Sequence, residues 1–142
     1  MSARLPFVSG LLGLLLALPA LAADDVVQRP EPDSMEATVQ RLLQAGVDGD
    51  FRAYLAEIHP DKKESKDQQS SLQRYEWKRF SVQASWYLLA AKPLTFQVSR
   101  RVQVTPTKHK LFLRDTVHAD SMPRPVELTR HQDKWVVTSN SL

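Results

Sequence analysis

Three charged side chains interrupt rows of this sequence that are otherwise apolar. Arg100 alternates in phase with Phe96, Val98, Val102 and Val104; Asp115 with Leu111, Leu113 and Val117; Arg130 with Val126 and Leu128. A period of two places such residues on one face of a strand, so each charge enters the side of a sheet that faces a core. Depending on the register that the turn Thr105-Pro106-Thr107-Lys108 selects, Arg100 and Asp115 stand opposite or one diagonal apart, and either geometry lets them pair. In one reading they form the polar floor of a pocket, where Arg100 or Arg130 holds an anionic ligand and Trp86 or Trp135 supplies an apolar wall. In the other, Arg100 and Asp115 are a structural ion pair at the sheet rim and Arg130 covers Trp135. Both readings give the arginine a carboxylate partner, because a half-buried cation requires one.

Other chemistries find little support. Asp115 is the one acid in phase with the apolar face, and a neighbouring arginine would lower its pKa and make it a poor base near neutrality. His59 precedes Pro60 at a helix end, while His109, His118 and His131 fall at turn, outward-strand and strand-end positions, without the i, i+4 pairing of a metal site. The four glycines, Gly10, Gly13, Gly46 and Gly49, form no phosphate loop, and the serines lack a nucleophile signature. With no cysteine there is no disulfide, thiolate zinc site or thiol nucleophile. No cofactor or metal is expected. Apart from Arg4, the formal net charge of +3 falls to +2, and the basic clusters Lys62-Lys63, Arg100-Arg101 and Lys108-His109-Lys110 are too scattered for nucleic acid.

The elements that would position these residues follow from periodicity. Arg4, an apolar run from Phe7 to Leu18, Pro19 and the small-residue site Ala20-Leu21-Ala22 read as a secretory signal peptide over residues 1–22. The run is shorter than the ~20 apolar residues of a membrane span. The expectation is a periplasmic or extracellular protein without a membrane anchor after cleavage. Residues 23–32, polar and closed by Pro30 and Pro32, read as a flexible leader, and residues 33–142 as a single domain.

Within that domain, Asp33 and Glu36 have capping-box spacing ahead of a helix carrying Met35, Val39, Leu42 and Leu43, which Gly46 would end. After Asp48-Gly49-Asp50, Phe51, Tyr54, Leu55 and Ile58 recur at helical spacing until His59-Pro60. Residues 61–69 read as a solvated loop or a first helical turn. Ser70 and Gln73 can cap a long third helix with two stripes: Leu72, Tyr75, Val82, Trp86 and Leu89, and Trp77, Phe80, Ala84 and Leu88. Residues 80–89 also alternate as a strand would; helix is favoured because no turn residue intervenes before Pro93. Beyond Pro93 the period becomes two, and short turns join the strands into an antiparallel meander. The expectation is an α+β domain with three N-terminal helices packed on a curved antiparallel four-stranded sheet.

This order of elements, the link Asp48-Gly49-Asp50-Phe51 and the closing strand Gln132-Asp133-Lys134-Trp135-Val136-Val137 resemble the nuclear transport factor 2-like superfamily, in its small exported bacterial branch. The resemblance covers about Asp33 to Leu142 at the level of pattern. It implies a cone-shaped fold with a pocket between sheet and long helix, which relatives use for ligand binding, catalysis or dimerisation, so fold alone does not choose among them. The sequence favours a non-catalytic exported domain that binds a small molecule or a protein partner in the cell envelope through Arg100, Asp115, Arg130, Trp86 and Trp135. The rivals are a small enzyme using the same cavity and an accessory subunit that only assembles. Phe112, which points opposite to Leu111 and Leu113, is the candidate for a homodimer contact in which a second copy covers the ring.

Overall fold

The hydroxyl of Ser34, rather than the Asp33 carboxylate, opens the first helix, accepting from the Ala37 N–H at 3.1 Å to cap α1 (Met35–Asp48). Gly46 does not end it. A Cβ on Gly46 would lie 2.6 Å from the Ala84 Cβ and 2.7 Å from the Phe80 ring, so this glycine lets two helices approach closely. The stop is Gly49, left-handed at φ 67°, and Asp50 caps α2 (Phe51–Glu57) through the Ala53 N–H.

A 3₁₀ turn (Pro60–Lys62) leads to a capping box of Ser65 and Gln68, upstream of the expected Ser70, and this box starts the third helix. That helix is one rod over residues 66–87, built from α3 (Lys66–Leu72), a π turn (Gln73–Trp77), α4 (Lys78–Gln83) and a 3₁₀ end (Ala84–Tyr87). Residues 80–87 are therefore helical, as the absence of turn residues implies, whereas Leu88 is already extended. The π turn decides which stripe is buried. Leu72, Trp77, Phe80, Ala84 and Tyr87 face the core, and the five-residue step from 72 to 77 stays on one face only because the turn is wider than α. Tyr75 and Val82, in α-helical phase with Leu72, are rotated out to 66% and 65% exposure, and Trp86 is half-buried at the core's edge.

The computed structural model describes residues 24–142, so the expected signal peptide lies outside the described residues. The sheet runs β1 (Asp25–Val27), β3 (Leu94–Gln103), β4 (Lys108–Leu113), β5 (Arg124–His131), β6 (Lys134–Asn140), all antiparallel, with β2 (Ala90–Ala91) paired to β3 alone. The four expected strands thus gain two more. β1 comes from the stretch expected to be a leader; Val27 is buried there, and Arg114 and Arg101 bind the carboxylates of Asp24 and Asp25. The helices cover one face of the sheet, where Val39, Leu42, Tyr54 and Phe80 pack with Phe96, Leu111 and Leu128 in a fully buried core. Among the described residues no helix is long and apolar enough to cross a membrane.

Two one-residue bulges bend the sheet. Val98 pairs with Leu113 but Arg100 with Phe112, leaving Ser99 as the extra residue; Glu127 pairs with Ser139 but Leu128 with Val137, leaving Thr138. The bulge in β3 reverses the alternation beyond it. Arg101, opposite the buried Leu111, takes the inward phase and meets Glu36 at 2.8 Å, while Arg100 turns outward with Phe112.

Candidate functional site

The expected Arg100–Asp115 pair does not form. The Arg100 guanidinium lies over the Phe112 ring, 4.3 Å from its centroid, on the outer face of the sheet. Phe112 does point outward as its phase requires, but its cover comes from within the chain. The arginine that enters the inner row and takes carboxylate partners is Arg101. Arg130 lies over Trp135 at 5.6 Å, the covering arrangement that the second reading gave this pair. Trp135 lines a hollow of about 340 Å³ with Thr38 and Arg41 at the β5–β6 turn. Asp115 and Trp86 do come together, at the other end of that hairpin, roughly 20 Å from Arg130 at ~3.3 Å per strand residue.

There a cleft of about 610 Å³ opens between the C-terminal end of the long helix and the sheet ends, a size typical of small-ligand sites. The helix contributes Arg79, Trp86 and Tyr87, the segment after β4 contributes Asp115 and His118, β5 contributes Arg124 and β6 Asn140. Strand β4 was expected to run to Val117 but stops at Leu113, and the chain is then stitched to the helix end. The Thr116 N–H donates to the Trp86 carbonyl at 2.7 Å, and the Thr116 hydroxyl lies 2.8 Å from the carbonyl oxygens of Trp86 and Leu88.

Asp115, with 7% exposure, folds this segment around its carboxylate. Oδ1 accepts from the Val117 and His118 N–H groups at 2.8 and 2.9 Å, and Oδ2 lies 2.8 Å from His118 Nδ1. Burial by itself would raise its pKa, but the N–H donors of His118 and Val117 and the His118 ring outweigh it and hold the group below the usual carboxylate range. An ionised carboxylate offers only lone pairs, so His118 Nδ1 carries a proton and Nε2 is left free. The Trp86 ring meets the His118 ring edge-on, 4.7 Å between centroids, which holds both against the cleft.

The other polar groups are less fully used. Arg79 donates from Nε to the Leu142 main-chain oxygen at 3.1 Å and from Nη2 to the Asn140 carbonyl at 3.0 Å, which leaves three of a guanidinium's five N–H donors. No ion pair among the described residues engages Arg124, and Tyr87 makes no side-chain hydrogen bond among them. Burial, with the Asp115 charge adding to it, raises the Tyr87 pKa and keeps its hydroxyl a protonated donor. Asn140 is buried, its Nδ2 donates to the Tyr54 hydroxyl at 3.1 Å, and its Oδ1 has no partner. Whichever way the amide is turned, Tyr54 engages one end and the other is unmatched. Burial pushes the Tyr54 pKa up to about 12, so that hydroxyl is neutral as well.

The site is therefore rich in donors, with one carboxylate already satisfied by three N–H groups. Sequence reasoning placed Asp115 and Trp86 in it but missed Arg79, Tyr87, His118, Arg124 and Asn140. The available signal was Asp115 three residues before His118, a spacing at which an aspartate captures backbone N–H groups and forms a turn. Among the described residues no group of three or more His, Asp or Glu side chains converges as a metal site would require. No protein family, curated protein or solved structure matches this chain.

Proposed function

We propose that this chain is an exported single-domain binding protein that holds a small anionic molecule in the cleft between its long helix and the ends of β4–β6. Arg124 and the free N–H groups of Arg79 supply the anion contacts, Trp86 is the apolar wall, and the Tyr87 hydroxyl reads a polar group at the base. The observation that carries the reading is the charge arrangement of the cleft: Arg124 and an Arg79 with three unused N–H donors line it, while its one carboxylate, Asp115, is already taken up by three N–H groups. We also read the α+β arrangement as the cone of the nuclear transport factor 2-like superfamily, and residues 1–22 as the address that sends the protein to the periplasm or beyond.

Calorimetric titration tests this reading with benzoate and inorganic phosphate as probes and benzamide as the uncharged counterpart. Benzoate or phosphate is expected to bind, benzamide at least tenfold more weakly, and Arg124→Gln to abolish the difference. Equal binding of benzoate and benzamide, or affinity unchanged by Arg124→Gln, would overturn it. The Asp115–His118 pair favours a second reading, a small enzyme in which His118 Nε2 removes a proton from a substrate held in the same cleft. In that case His118→Gln abolishes turnover while leaving anion affinity in place.

A further inference from the structure

One face of the long helix is uncovered. Tyr75 and Val82 lie away from Trp77, Phe80 and Ala84, and each keeps about two thirds of its surface in water, at 66% and 65%. Single exposed apolar residues are ordinary, but what flanks these two is not. On the α3 side of Tyr75 is a hollow of about 510 Å³ bordered by Asp61, Asp67 and Glu76 against the lone cation Lys62. On the α4 side is a hollow of about 680 Å³ bordered by Arg74, Lys78 and Arg79 against Glu76 alone. Tyr75 and Glu76 belong to both. The face is thus acidic at one end, basic at the other and aromatic at the boundary. The π turn makes it so, because an uninterrupted α-helix would have kept Tyr75 and Val82 in phase with the buried Leu72.

A surface with opposite charges on either side of an apolar centre is complementary to itself in one arrangement. Turned by 180° about an axis through Tyr75, each acidic half falls on the basic half of the other copy, and every contact occurs twice. We infer that the occupant of this face is a second copy of the chain, packed antiparallel along the long helix, with Tyr75 against the partner's Tyr75 at the axis and the charges toward the rim. Aromatic residues dominate the centres of such interfaces and charges their edges. This face is separate from the Phe112 face, where Arg100 already covers the ring. Arg79 borders both this face and the cleft, so the variants below change Arg74 and Lys78 and leave Arg79 in place.

Sedimentation velocity from micromolar to millimolar concentration tests the inference. Wild type is expected to dimerise, and Tyr75→Asp or Val82→Lys to weaken the dimer at least tenfold, about 1.4 kcal/mol, with helical circular dichroism unchanged. The orientation is tested by charge exchange. A variant carrying Asp61→Lys with Asp67→Lys and another carrying Arg74→Glu with Lys78→Glu each present like charges to themselves and should be monomeric. An equimolar mixture restores opposite charges at both ends and should recover the dimer. A wild type that stays monomeric at the highest concentration overturns the inference, whether or not it pellets with anionic vesicles. So does a folded Tyr75→Asp variant that dimerises as wild type does, or a mixture that does not associate.

Discussion

Removing the Asp115 carboxylate separates its structural role from any role in ligand chemistry, and the size of the effect follows from its bonds. It accepts two backbone N–H groups and one ring N–H, all at 2.8–2.9 Å. Hydrogen bonds to a charged acceptor contribute about 1.5–3 kcal/mol each when the donors are buried. Here Val117 is 61% exposed and His118 is also exposed, so water replaces part of what Asp115→Ala removes. The expected loss is about 2–3 kcal/mol in total, a substantial part of the roughly 5–15 kcal/mol that stabilises a domain. Asp115→Asn keeps one acceptor oxygen and should cost less, about 1–2 kcal/mol.

The pH dependence gives a sharper test. The folded pKa of Asp115 is held below its ordinary 3.8, so the unfolded chain binds this proton more readily as pH falls. The stabilisation is fully present above about pH 5, well above the unfolded value, and is lost as pH drops through the lower folded value. Urea unfolding followed by tryptophan fluorescence, for wild type and both variants at about pH 7 and about pH 2, measures the differences. They should be at full size at the higher pH and smaller at the lower one for Asp115→Asn. A difference below about 0.5 kcal/mol at pH 7, or one of equal size at both pH values, would refute the assignment of the 115–118 turn to this carboxylate.

Three further outcomes are expected. Gly46→Ala should destabilise by about 1–2 kcal/mol in thermal melts, because crowding against the Ala84 Cβ and Phe80 exceeds the gain of about 1 kcal/mol in helix propensity; a neutral result would mean the helices stand farther apart. A double-mutant cycle of Arg100→Met with Phe112→Leu should show a coupling of about 0.5–1 kcal/mol, whereas Arg100→Met with Asp115→Ala should add within about 0.5 kcal/mol. Deleting Arg74 converts the π turn to an α turn and leaves the two flanking helical segments in register, so the protein should stay folded and melt cooperatively; deleting Ser81 rotates Phe80 against Ala84 and should unfold it.

Periodicity in the sequence indicates the existence and type of most elements here, and fails where one residue is inserted. The stripe Trp77, Phe80, Ala84 is continuous in an α-helix and is the buried one; the stripe from Leu72 through Tyr75 and Val82 is equally apolar, and the π turn keeps Leu72 in the core while rotating Tyr75 and Val82 out of it. The same holds in β3. Arg100 is in perfect phase with Phe96 and Val98, but the extra Ser99 hands the inward position to Arg101, whose partners Glu36 and Asp25 lie far away in sequence. The rule that an arginine entering a core-facing row needs a carboxylate holds, but for the neighbouring residue. No local propensity marks either insertion, because the apolar period runs through both positions without a break.

The cleft was harder to read for a different reason. Apart from Arg79 on the helix, its polar residues come from segments that stand where regular elements end: Tyr87 at the last helical turn, Asp115 past the last residue of β4, Arg124 at the first of β5 and Asn140 at the last of β6. Inside an element, backbone donors and acceptors are taken up by the ladder or the helix, and a side chain's phase predicts its surroundings. At an end they are released, and polar side chains compete for them. Asp115 illustrates the transition: aspartate is poorly suited to a strand and well suited to capturing N–H groups two and three residues ahead, so the strand stops before it instead of carrying it inward. An apolar row broken by a single aspartate is thus better read as a strand followed by a turn than as a strand with a charged floor. That turn is what brings His118 against Trp86 and opens the donor-rich cleft beside it.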